Sequence, residues 1–119
     1  MEFSTALKKN YDFRRAYRKG RSAAEPCLVV YARRNNTGRE NRVGYTVSNK
    51  LGCAVVRNRV RRRLREIYRL NLPRLKKGFD IVIVARVRSR RAEYRQLESA
   101  YLSACSKLGL LAEERRGEK

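Results

Sequence analysis

No histidine occurs anywhere in the 119 residues of this chain. That excludes general acid–base catalysis by histidine and zinc sites that use it. Cysteine is scarce: Cys27, Cys53 and Cys105 are odd in number, far apart and in no C-x-x-C pair. They read as small apolar residues of a reducing compartment, not as a disulfide framework or a metal clip. Long apolar runs are missing too. The longest, IVIVA at 81–85, is far too short to cross a bilayer, and the opening MEFSTALKKN lacks the apolar stretch of a signal peptide. The expectation is a soluble, cytoplasmic protein. Acids are few, and Asp12 and Asp80 are the only aspartates. Neither pairs convincingly with Glu66, so a nuclease holding its own metal, which needs clustered carboxylates, finds no site in the sequence.

What is present is positive charge. Thirty-one Lys plus Arg against 11 Asp plus Glu leave +20, and 23 of the cations are Arg. A compact body this basic repels itself unless a polyanion absorbs the field. The 42% hydrophobic content argues for a folded globule and against a disordered basic tail. The length suits one domain over 1–119, with an ordered body of about 7–110 and a charged tail at 112–119. Nucleic acid and an anionic membrane are the two candidate polyanions. The planar guanidinium fork, which pairs with phosphate and stacks on bases, favours nucleic acid.

Along the chain, KKNYDFRRAYRKG predicts a helix near 10–19, with Asn10 or Asp12 at its start, Gly20 as its stop, and Leu7, Phe13, Ala16 and Tyr17 as possible facing residues. PCLVVYARR at 26–34 reads as a strand, followed by turn-like NNTGREN at 35–41. RVGYTVS at 42–48 alternates, Val43, Tyr45 and Val47 facing one way and Gly44, Thr46 and Ser48 the other. A hairpin joining these two strands is expected. FDIVIVARV at 79–87 is nearly all apolar, the mark of a strand covered on both faces. RAEYRQLESAYLSACSKLG places Tyr94, Leu97, Tyr101, Leu102, Cys105 and Leu108 at helical spacing, with Gly109 beyond the last turn. The order helix, strand, strand, helix, strand, helix makes an α+β layer, one sheet with helices packed on it.

The helix before Pro73 carries the most information. RNRVRRRLREIYR, from Arg57 to Arg69, holds seven arginines in thirteen residues and one acid, Glu66. On a helical wheel Val56, Val60, Leu64, Ile67 and Leu70 fall within an arc of roughly 120°, and Tyr68 extends it. Arg57, Arg61, Arg65, Asn58, Arg62 and Arg69 cover the opposite side. Only Arg63 lies within the apolar arc, where its stem is expected along the core with its head reaching out. Solvated faces ordinarily mix signs, because like charges at i,i+4 repel by a few tenths of a kcal/mol, roughly 0.2–0.5 each. Stacking Arg57, Arg61 and Arg65 at that spacing points to a phosphate-bearing partner. Electrostatics alone does not separate RNA from DNA, but no heptad follows the helix and it reads as laid on a sheet.

KLGCAVVRNRVRRRLREIYR resembles the RNR signature of the bacterial ribonuclease P protein component. KKNYDFRRAYRKGRS, LVVYARR, RVGYTVSNKLG and KGFDIVIVAR agree with that family in order and spacing, so the likeness covers about 7–105. It implies a two-layer α–β sandwich of about four mixed strands and three main helices, similar to the second domain of ribosomal protein S5, with a left-handed β-α-β crossover through the arginine helix. It also implies a subunit of the ribonucleoprotein that removes the 5′ leader from precursor tRNA, with catalysis and Mg2+ belonging to the RNA subunit and no cofactor, DNA or membrane bound by the protein. By that resemblance Arg57, Asn58, Arg59, Arg61, Arg62 and Arg65 face the catalytic RNA. Phe13, Tyr17, Tyr31, Ser48, Lys50 and Arg86 line a cleft for the single-stranded leader. On spacing alone, Phe13 and Tyr17 fit the core side of the first helix at least as well, and Asn58 fits a solvated helix position. Three positions depart from the family pattern: Tyr17 where Phe is common, Arg63 where an apolar residue is usual, and Val87 where some relatives carry a second cation. A ribosomal or RNA-chaperone protein would share the charge and size but not the G-x-A-x-x-R-N-R block.

Self-repulsion at +20 opposes compaction, so sulfate or phosphate should raise the melting temperature of the isolated protein. Differential scanning at constant ionic strength checks this, and a melting point indifferent to multivalent anions would remove the repulsion argument.

Overall fold

The computed structural model describes residues 4–6, 10–35 and 40–112. Leu7 and the tail from residue 113 onward therefore lie outside the described residues, as do residues 36–39 of the turn-like segment. Five strands and three α-helices follow in the order β1 (Ser4–Ala6), α1 (Asn10–Lys19), β2 (Arg21–Ala24), β3 (Leu28–Arg34), β4 (Asn41–Thr46), α2 (Ala54–Asn71), β5 (Phe79–Ala85) and α3 (Tyr94–Lys107). Three 3₁₀ turns, at 49–51, 72–74 and 87–90, join the later elements.

The strands form one mixed sheet in the order β1-β4-β5-β3-β2. β5 is central, parallel to β4 and antiparallel to β3, while β1 adds a parallel edge on β4 and β2 an antiparallel edge on β3. The expected α+β architecture is present, with short edge strands that lack the apolar alternation of a readable strand. The hairpin between 26–34 and 42–48 is not formed. β5 lies between those two segments, paired with β4 along one edge and with β3 along the other, while helices cover its two faces. The arginine helix thus connects β4 to a parallel neighbour, as the sequence suggested.

The two faces of the sheet differ. On the inner face the cross-strand rows Val43–Ile81–Ala32 and Tyr45–Ile83–Val30 meet α2 and α3, whose Val60, Leu64, Ile67, Leu97, Tyr101 and Cys105 are buried in the same core. On the outer face Gly44–Val82–Tyr31 and Thr46–Val84–Val29 run in register, and α1 packs Ala16 against Val82. The third outer row is ionic. Asp80 is buried between Arg42, whose Nε and NH2 donate to its carboxylate at 2.8 and 2.7 Å, and Arg33 at 3.8 Å, and it also accepts from Asn35 Nδ2 at 3.1 Å. A buried carboxylate requires such partners, since desolvating it alone costs several kcal/mol.

On α2 the buried residues are Val60, Leu64, Ile67, Tyr68 and Asn71, whereas Leu70 is 51% exposed. The docked arc is thus turned toward Tyr68 relative to the wheel reading. Asn71 tolerates burial because its Nδ2 donates to Ile67 O at 2.9 Å and to Glu98 Oε2 at 3.0 Å. Arg63 is half-buried, and its head is held, donating to Ala92 O at 3.2 Å. Helix α3 opens with a reciprocal capping box between Glu93 and Gln96. It closes with Gly109 at φ 72°, where Leu110 N–H donates to Cys105 O and Gly109 N–H to Ser106 O.

Gly20 ends α1 for a steric reason. Its N–H donates to Ala16 O at 3.0 Å, and a Cβ there would lie 2.5 Å from Ala16 O and 2.7 Å from Ala32 O, both backbone atoms. Gly20→Ala should therefore destabilise the protein by about 1–3 kcal/mol through forced separation of α1 and β3. A lower urea midpoint at unchanged m-value is the expected outcome; an unchanged midpoint would contradict the close approach.

Candidate nucleic-acid interface

Two surfaces assemble where β4 and β5 end and α2 begins. The first is the outward side of α2. Docking Val60, Leu64 and Ile67 on the sheet leaves Asn58, Arg59, Arg62 and Arg65 exposed and Arg57 and Arg61 half-exposed. Two of these side chains are aimed by local bonds: Arg57 Nε donates to Gly52 O at 3.2 Å, and Arg61 NH1 to Asn58 Oδ1 at 3.1 Å. The five arginines of this set make no ion pair among the described residues. The sole acid of the helix, Glu66, lies 4.0 Å from Arg69 instead. The first turn of α2 contains no acid and no side-chain capping bond, so its free N–H groups add to the positive field there.

The second surface lies between α1 and the outer sheet face. Phe13 and Tyr31 are half-buried against Ala16, Val82 and Val84. Tyr17 is 38% exposed, edge-on to Tyr31 with centroids 4.9 Å apart and planes at 76°, and its hydroxyl meets Thr46 Oγ1 at 2.9 Å. Three aromatic side chains thus gather on the outer face of the sheet, over Val82 and Val84. Both readings of the Phe13–Tyr17 pair hold in part: Phe13 supports a minor core, and Tyr17 stands at its rim. Ser48 and Lys50 sit at the same strand end and are exposed, with Ser48 Oγ accepting from the backbone N–H of Lys50 at 3.3 Å. Arg86, exposed past the end of β5, turns away from the aromatic group and donates to Glu25 O at 3.1 Å. Thr46 and the two valines complete this cluster. The period-2 pattern that places Gly44, Thr46 and Ser48 on one face also places Val82 and Val84 there, once β4 and β5 are known to pair.

A separate groove of about 720 Å³, between Pro26 and the first half of α3, is lined by none of these residues. Among the described residues no three His, Cys, Asp or Glu side chains gather as a metal site. No helix among them is long and apolar enough to cross a membrane.

Comparison with known proteins agrees with this fold. The family model described as Ribonuclease P matches residues 1–109. The ribonuclease P protein component of Alkaliphilus metalliredigens is 45% identical over 94% of this chain and 100% of its own length, and that of Alkaliphilus oremlandii is 44% identical over 93% and 96%. Among solved structures, the Staphylococcus aureus RNase P protein superposes with a TM-score of 0.80 at 33% identity, covering 89% of this chain and 96% of that one. The Thermotoga maritima RNase P protein gives 0.75 at 31%, covering 82% and 92%.

The three thiols report on this geometry independently. At the start of α2 the N–H groups of Val56 and Val55, with Arg57 nearby, hold the exposed Cys53 thiol below its usual pKa. Burial pushes Cys27 up and Cys105 up to about 12. Iodoacetamide should therefore label Cys53 first, and at lower pH than a free thiol, with Cys27 and Cys105 modified only on unfolding. Equal labelling rates by peptide mass mapping would contradict the placement of Cys53.

Proposed function

This chain belongs to the ribonuclease P protein component family, and from that premise we propose that α2 grips the catalytic RNA while the α1 cleft holds the 5′ leader of precursor tRNA. The protein is the subunit of the ribonucleoprotein that performs tRNA 5′ maturation, an endoribonuclease. The observation that carries the division of labour is the α2 face itself. A row of arginines that forms no ion pair among the described residues lies on a helix whose other side packs Val60, Leu64 and Ile67 into the core. Such a row remains charged until phosphates neutralise it, and binding releases the counterions condensed on the RNA.

The cleft suits a different task. Tyr17 at its rim, backed by Tyr31 and Phe13, gives a stacking platform that demands no sequence, and Lys50 stands at the same end of the sheet to meet the backbone. The Tyr17–Thr46 hydrogen bond fixes the ring across the gap between α1 and β4. Arg86 belongs at the margin of this surface, its guanidinium tethered to the β2–β3 turn.

The reaction's Mg2+ is assigned to the RNA subunit, where it would supply Lewis-acid activation at the scissile phosphate. Among the described residues the donor set does not fit such an ion: no three carboxylates or thiols gather, and Asp80 is enclosed by Arg42, Arg33 and Asn35. Its own work is binding and orienting.

The test separates the surfaces. In the reconstituted holoenzyme, Phe13→Ala with Tyr17→Ala should weaken binding of leader-bearing precursor by about 2–5 kcal/mol, less if the leader repacks, and leave mature tRNA unaffected. Arg61→Ala with Arg65→Ala should instead weaken assembly with the RNA subunit and flatten its salt dependence. Circular dichroism must show both variants folded. If the folded aromatic variant distinguishes precursor from mature tRNA as well as wild type does, the cleft assignment fails.

A further inference from the structure

A third basic surface lies at the other end of the sheet. Arg34 ends β3, Phe79 begins β5 and Arg21 begins β2, so all three mark the edge opposite to Ser48, Lys50 and Arg86. Strand β5 alone sets these edges roughly 20 Å apart. There a groove of about 490 Å³ opens between the sheet and the C-terminal end of α3. Among the described residues six cations line it, Lys19, Arg21, Arg33, Arg34, Lys76 and Lys107, and no acid does.

Two of the six are already answered, Arg33 by Asp80 at 3.8 Å and Lys107 by Glu25 at 2.8 Å. Lys19, Arg21, Arg34 and Lys76 are exposed and form no ion pair among the described residues. At the end of α3 the N–H groups of Gly109 and Leu110 donate to the carbonyls of Ser106 and Cys105. Arg34 is held with its guanidinium 5.5 Å from the centroid of the Phe79 ring. Converging cations with their aromatic ring already occupied suit phosphates rather than unstacked bases.

Resting on the function above, we infer that this groove is a second docking site for the sugar–phosphate backbone of the RNA subunit. The leader is assigned to the opposite edge of the sheet, which leaves this edge to the larger RNA. The protein then bridges two segments of that RNA, one on α2 and one here.

Binding of the full chain to a bacterial ribonuclease P RNA, measured across a salt series, tests this. Arg21→Ala/Arg34→Ala/Lys76→Ala should lose at least tenfold in affinity, with the salt slope reduced by about two to three. The control variant Arg88→Ala/Arg91→Ala/Arg95→Ala removes the same charge elsewhere and should lose much less; equal losses would reduce the groove to net charge and overturn the site. Wild-type affinity and slope in the groove variant would overturn it as well, as would a loss confined to precursor tRNA binding by the assembled holoenzyme. Arg61→Ala/Arg65→Ala serves as the reference for α2. If it weakens binding while the groove variant does not, the groove alone fails and the function stands. A glutamine version of the groove triple, checked by thermal melting, separates lost contacts from lost folding.

Discussion

β5 can occupy the centre of the sheet only because both of its faces are covered, and the rest of the molecule follows from that requirement. Ile81, Ile83 and Ala85 need α2 and α3 on the inner side, while Val82 and Val84 need α1 on the outer side. Covering the inner side fixes which stripe of α2 is buried and therefore which arginines face outward. On the outer side α1 covers the sheet incompletely, and the uncovered margin is where Tyr17, Tyr31 and Phe13 meet. One central strand thus positions both surfaces at the same edge of the sheet.

The cationic excess is tolerated by distribution. Positive groups stand on the perimeter, where water and counterions screen them, and the carboxylates nearest the body are used as local anchors. Asp80 joins three strands through Arg42, Arg33 and Asn35. Glu25, whose pKa Lys107 holds below the ordinary carboxylate range, ties the β2–β3 turn to α3 together with Ser103. Asp80 and Glu25 thus serve cohesion, and α2 is left with Glu66 as its sole acid.

Elements defined by local chemistry were legible in the sequence. The bounds of α1 followed from its polar start and Gly20, those of α2 from its apolar arc and Pro73, and β5 from its uninterrupted apolar run. Pairing was not legible, because two consecutive strands with a polar turn look alike whether they touch or a later strand separates them. The four residues of β2 and three of β1 carry too little pattern to be seen. Asn71 was hidden because its burial depends on Glu98, 27 residues away. The arginine row could be read as a charge pattern, whereas the cleft needed family resemblance, since an aromatic pair four residues apart on a helix is equally a core signature. The groove at the far edge was invisible because its cations come from five separate segments.

Asn58 gives the arginine row a property that charge alone would not. A guanidinium on a free side chain must surrender several rotatable bonds when it meets a phosphate, and that entropy is subtracted from affinity. By accepting a hydrogen bond from Arg61, the neutral amide settles part of that cost beforehand and leaves the cation's charge intact. An aspartate could hold the same arginine more tightly, yet it would cancel that side chain's charge. Preorganisation without neutralisation requires an uncharged acceptor, so the middle letter of R-N-R sets how ready the surface is, while its neighbours set how strong it is.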